Sequence, residues 1–180
     1  MSAPTREPRL AFSPEAWNTL ELFTTLCPFE IGGLGTVRAV GGDFEVVDLF
    51  VVRQDVNDIT TRLDGDAVDG LIGGFIDRGD DPAALRLWWH SHAREATFWS
   101  GEDEQTISGF QNEWMLSLVT NHDLRLLARL DHYAPRTSTW VHVDRPVSPI
   151  EPTAAEIDAT RAAIADAVRY LPAPRREQVL

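Results

Sequence analysis

Leu85-Arg86-Leu87-Trp88-Trp89-His90-Ser91-His92, followed after a loop by Ser100-Gly101-Glu102-Asp103, decides how this chain is read. The first five residues contain no turn former and follow Gly79-Asp80-Asp81-Pro82, so they predict a buried strand running into the histidines. Side chains alternate faces along a strand, which puts His90 and His92 on one face, close enough to share an ion. The loop returns Ser100 and Asp103 to the same point. Two imidazoles and a carboxylate leave a fourth position open, as hydrolytic zinc sites do. An ion so held acidifies a bound water and polarises a carbonyl. Each half also has a plain structural reading: Ser-x-x-Asp is a helix-capping pattern, and His-x-His can be an ordinary strand pair. Their combination in one short segment favours the chemical reading.

Working outward, Cys27-Pro28-Phe29-Glu30-Ile31-Gly32-Gly33-Leu34-Gly35 places one carboxylate among apolar residues and glycines. Such glycines permit close backbone packing or substrate approach. A buried Glu30 beside the ion would suit a general base. Without the histidine motif, a solvent-facing strand-edge Glu would be the better reading.

Glu30 with its Gly-Gly-Leu-Gly trail, then His90-x-His92-x7-Ser100-x2-Asp103, resembles the JAMM/MPN+ (JAB) metalloprotease family, over roughly residues 13–150. The resemblance implies a single MPN domain (JAB/cytidine-deaminase-like), α/β in class, with a mixed sheet flanked by helices. It implies one zinc ion held by His90, His92 and Asp103. Glu30 would activate the zinc-bound water and later protonate the amine, and Ser100 would hydrogen-bond the oxyanion. The implied activity is that of a deubiquitinase-like isopeptidase or peptidase, cutting after the C-terminal tail of a ubiquitin-like protein. Deconjugation, precursor maturation and release of a sulfur-carrier protein adduct are all compatible with it. The compact chain is most similar to stand-alone prokaryotic members, some of which are encoded beside conjugation-pathway enzymes. Two positions depart from the family pattern: Ala93 and Trp99 stand where the family often has proline. They bear on loop shape and substrate preference.

Length and composition narrow the alternatives. The 180 residues suit one domain with a substantial core. A formal charge of −12 disfavours nucleic acid as the main partner, because phosphate binding needs clustered basic residues. No apolar run approaches the length of a membrane helix, and the N-terminus lacks a signal-peptide apolar core. With a single cysteine, Cys27, a cytoplasmic location is expected. All sixteen basic residues are arginine. A GC-rich or salt-adapted genome is the mundane cause; avoidance of self-modification on lysine is the sharper one.

The remaining pattern predicts the scaffold. Residues 1–12 read as a flexible N-terminus, 13–150 as the metalloprotease domain, 151–171 as a C-terminal helix packed on it, and 172–180 as a flexible tail. Ser13-Pro14 opens a helix carrying Trp17, Leu20, Phe23 and Cys27. A hairpin joins strands 30–40 and 44–52 through Gly41-Gly42-Asp43. A helix spans about 66–78, and strands are expected at 114–120, 124–132 and 138–144. Ile107, Phe110 and Trp114 would continue the helix begun at Ser100. Thr153-Ala-Ala-Glu156 is a capping box for the last helix, with Ile157, Ile164, Val168 and Leu171 on one face.

Alternation sends Trp88 to the ligand face and Trp89 to the opposite one, both as core residues. Phe98 and Trp99, in the loop between ligands, are candidates for gripping an extended substrate tail. His122, His132 and His142 lack ligand spacing. Two rival classes remain open at this point: a catalytically silent scaffold of the same fold, and a non-haem iron oxygenase, which also uses two histidines and a carboxylate.

Overall fold

The computed structural model describes residues 6–57, 60–147 and 150–172. In chain order its elements are β1 (Arg9–Phe12), α1 (Pro14–Leu26), β2 (Gly32–Val40), β3 (Asp43–Val51), β4 (Gln54–Val56), β5 (Thr61–Leu63), α2 (Gly65–Arg78), β6 (Leu85–Ser91), α3 (Gly101–Ser108), β7 (Trp114–Thr120), β8 (Leu126–Tyr133), β9 (Arg136–Val143), α4 (Ala154–Ala167) and β10 (Val168–Tyr170). Seven strands close into a barrel in the order β1-β3-β2-β6-β7-β8-β9, while β10, β4 and β5 form a separate small sheet.

The barrel corrects the expected architecture. A mixed sheet flanked by helices, the arrangement implied by the MPN resemblance, is not what the chain builds. The closing piece lies in the segment read as a flexible N-terminus. Arg9-Leu-Ala-Phe12 pairs in parallel with β3 on one side, Leu10 opposite Phe44, and with β9 on the other, Leu10 opposite Val143. Its alternation buries Leu10 completely and Phe12 nearly so. Four residues give too short a pattern to distinguish from a tail. The N-terminal assignment is thus corrected at residues 9–12; residues 1–5, and 173–180 of the assigned tail, lie outside the described residues.

Local rules account for most of the other elements. Ser13 caps α1, its hydroxyl accepting from the Ala16 N–H, with Pro14 in the first turn. Gly41 and Gly42, with φ of +59° and +92°, make the two-residue turn that sets Val40 opposite Asp43. Two expectations shift. The helix begun at Ser100 ends at Ser108, and Trp114 starts β7. The last helix ends at Ala167, and Val168–Tyr170 pairs with β4 as β10.

Alternation along β6 divides the core. Leu87 and Trp89 join Trp17 and Leu20 of α1 in the larger cluster, whereas Trp88 joins Phe75 of α2 and Ile107 of α3 in the smaller. The two clusters pin β6 from both faces, and its last residues carry the site. Among the described residues, no helix is long and apolar enough to cross a membrane.

Candidate metal centre

His90 lies on the Trp88 face of β6; the two rings stack with centroids 4.5 Å apart. Ser91 points the other way. Its hydroxyl accepts from the Ile31 N–H at 3.2 Å, and its own N–H donates to the Ile31 carbonyl at 2.7 Å. Glu30, one residue before Ile31, is thereby fixed beside the histidine strand. Nothing in the sequence pattern marked Ser91, because its role is a cross-strand pairing with a residue sixty positions away.

The start of β2 is fixed a second time by Gln54 of β4, which is 1% exposed. Its carbonyl accepts from the Gly32 N–H and the Thr61 hydroxyl, and its amide donates to the Gly32 and Val52 carbonyls. All four amide valences are used. The glycine run serves strand packing here: a Cβ at Gly33 would lie 1.9 Å from the Phe50 carbonyl oxygen.

Beyond β6, His92 is held through its backbone by Thr120, and its Nδ1 lies 2.9 Å from the Ala96 carbonyl. A carbonyl only accepts, so Nδ1 carries the proton and Nε2 presents a lone pair. Ala93 has φ +45°, which a proline ring, fixed near −65°, does not adopt; the departure from proline at this position therefore accompanies a different loop path. At α3 the capping geometry is present and orients the candidate ligand Asp103. Ser100 Oγ accepts from the Asp103 N–H at 3.1 Å, and Asp103 Oδ2 accepts from the Ser100 N–H at 2.7 Å. The box leaves Oδ1 facing His90 and the Ser100 hydroxyl proton available to donate.

The three side chains converge. His90 Nε2 lies 3.1 Å from His92 Nε2 and 3.1 Å from Asp103 Oδ1, and His92 Nε2 lies 3.6 Å from Asp103 Oδ2. An ion bound tetrahedrally at about 2.0–2.1 Å separates its ligands by about 3.3–3.4 Å. All three residues are buried, and together they can hold a metal ion. Electron pairs from three groups crowd one point, which favours a cation there. Burial holds the His90 imidazole neutral, as a ligand must be. For Asp103, burial works to raise the pKa, but the two imidazoles beside it and the hydrogen bond from the Ser100 N–H hold it well below the usual carboxylate range. For His92, burial acts downward, yet Asp103, the Ala96 carbonyl and Glu30 outweigh it and raise the pKa.

Glu30 is 4% exposed and borders a cleft of about 700 Å3 together with Ser100 and Asp103. It also shares a smaller recess with His92 and Phe98. Burial pushes its carboxyl up to about 7; His92 opposes this, while Asp103, Glu95 and Glu102 add repulsion. Of the two aromatic candidates, Phe98 is 47% exposed, sets its ring edge-on to His92 and lines that recess. Trp99 turns inward against the smaller core cluster, beneath the Arg129 guanidinium. The structure thus gathers Glu30, Ser100 and Asp103 around the cleft and Glu30, His92, Phe98 and Ser100 around the smaller recess, with His90 buried beside His92 and Asp103. Trp99 lines neither, its ring centroid lying 6.3 Å from that of His90. No family model matches the chain, and no curated protein matches it either.

Proposed function

We propose that the chain is a zinc-dependent hydrolase of amide or isopeptide bonds, acting after the C-terminal tail of a ubiquitin-like protein. The observation that carries this reading is a buried carboxylate, Glu30, opening on the same cleft as Asp103, whose carboxylate meets His90 and His92 in a set that could hold a metal ion. Zinc held by His90, His92 and Asp103 would supply Lewis acidity, polarising the scissile carbonyl and making water a nucleophile near neutral pH. Glu30, with its proton affinity raised toward neutrality, accepts the proton of the attacking water and hands it to the departing amine. Ser100 donates its hydroxyl hydrogen to the developing oxyanion, its lone pair being engaged by the Asp103 N–H. An oxygenase would give Glu30 and Ser100 no task, which favours zinc hydrolysis over iron chemistry at this ligand set.

An extended substrate is supported by the shape of the cleft. It continues past Thr61, Arg62, Thr106 and Phe110 into an apolar pocket of about 410 Å3, giving room for a chain on one side of the scissile bond. A sulfur-carrier protein adduct remains the alternative substrate of the same chemistry. The free, buried Cys27 fits a cytoplasmic setting for either. Incubation with a ubiquitin-like protein fused through its Gly-Gly end to a peptide, with a lysine-linked conjugate, and with a sulfur-carrier adduct separates these arms by product mass. Glu30→Gln should retain one zinc per chain and lose at least about 100-fold in rate, whereas His92→Ala should lose the zinc as well. Near-normal turnover by Glu30→Gln would remove the base assignment.

A further inference from the structure

We propose that Arg129 of β8 is a positioning residue for the metal centre, clamping the segment that delivers Asp103 and Ser100 from both of its ends. The proposal rests on the metal-site reading above and extends it to a residue outside the cleft.

The reason lies in how little else holds α3. It has eight residues, too few to be stable as an isolated helix. Only Asp103 and Ile107 are buried in it, and its first turn carries three acidic residues, Glu102, Asp103 and Glu104, the first two lining the cleft with Glu30. Toward its C-terminal end, the Tyr133 hydroxyl donates to the Ile107 carbonyl at 2.9 Å. At its N-terminal end the tether is Arg129. Nη1 and Nη2 donate to the two Glu104 carboxylate oxygens at 2.5 and 2.8 Å, a bidentate pair immediately after Asp103. The same guanidinium lies over the Trp99 ring, its carbon 5.0 Å from the ring centroid, immediately before Ser100. Arg129 therefore grips the residue on each side of the Ser100–Asp103 box.

The clamp is itself fixed to the barrel. Arg129 is buried, and its Nε donates at 2.9 Å to Asp131, which is fully buried. Asp131 in turn accepts from the Ser138 hydroxyl across the β8–β9 ladder. A guanidinium whose two Nη groups grip one carboxylate while its Nε–H donates to a second defines a position more narrowly than a lysine can. Displacement of α3 by about an ångström would take Asp103 Oδ1 off its 3.1 Å approach to His90.

The test is Zn2+ affinity, read by competition with a chromophoric chelator on metal-free protein, with the Co2+ absorption spectrum as a report of ligand geometry. Arg129→Lys and Glu104→Gln should each weaken Zn2+ by about 10–100-fold, and the double variant should be no weaker than the worse single. The Co2+ bands should shift in the single variants. Arg9→Lys on β1, three strands around the barrel from β6, disturbs the barrel-closing ion pair with Asp144 and is the control for loss of stability alone. It should leave Zn2+ affinity and the Co2+ bands as in the parent. Equal affinity in parent and Arg129→Lys, or equal losses in Arg129→Lys and Arg9→Lys, would overturn the clamp while leaving the metal site standing. A parent chain that takes up neither ion would overturn the metal-site reading, and the clamp with it.

Discussion

Glu30 concentrates the electrostatic tension of this protein in one carboxyl. In the metal-free chain its pKa stands at about 7 against an ordinary value of 4.5, chiefly through burial. Folded protein therefore keeps this proton between those values while the unfolded chain has lost it, so stability falls as pH rises from 4.5 toward 7 and is level beyond. Glu30→Gln removes the ionisable group. In chelator-treated protein the variant should match the parent near pH 4 and exceed it above pH 7, by about 3 kcal/mol at most. Urea unfolding at several pH values measures the difference, and parallel curves for the two proteins would contradict it. At the same scale, Phe98 and Trp99 show how adjacent aromatics part ways. One lies edge-on to His92, a candidate ligand, in the smaller recess, and the other sits under a buried arginine.

At the scale of elements, β2 and α3 do the positioning by opposite means. β2 is held by tight packing: Gly33 brings its backbone against Phe50, and Gln54 takes up both backbone groups of Gly32. Gly33→Ala would drive a methyl into a backbone carbonyl that cannot rotate away. We expect a loss of about 1–3 kcal/mol or more, seen as a lowered denaturant midpoint. An unchanged midpoint would mean that β2 and β3 lie further apart than described. α3, in contrast, is held by few side chains, and its capping box both starts the helix and orients the candidate ligand Asp103. Ser100-x-x-Asp103 forms the cap, and the same hydrogen-bonded unit leaves Asp103 Oδ1 3.1 Å from His90.

At the scale of the whole molecule, barrel closure depends on four residues before the first helix. Leu10 is fully buried between β3 and β9. If it belonged to a loose tail, Leu10→Ala would change stability by less than about 0.5 kcal/mol. As a barrel residue it should cost about 2–5 kcal/mol, or roughly 5–20 °C in melting temperature for a chain of this size. Differential scanning calorimetry distinguishes these outcomes. Closure also removes two free strand edges, which would otherwise be open to pairing with other chains.

The sequence by itself determined the convergence of the candidate ligands, the caps and the main strands. Spacing along one strand and one helical turn is a local property: His90 and His92 share a face by alternation, and Ser100 and Asp103 meet by capping geometry. Burial of Trp88 and Trp89 on opposite faces was legible for the same reason. Tertiary structure alone decided the closed barrel, the pairing of Val168–Tyr170 as a strand, the inward turn of Trp99, and the bonds of Ser91, Gln54 and Arg129 that aim the site. Each of these joins residues far apart in the chain, where a four-residue strand or a lone polar side chain carries no periodic signal. Their positions follow from what the rest of the fold brings against them.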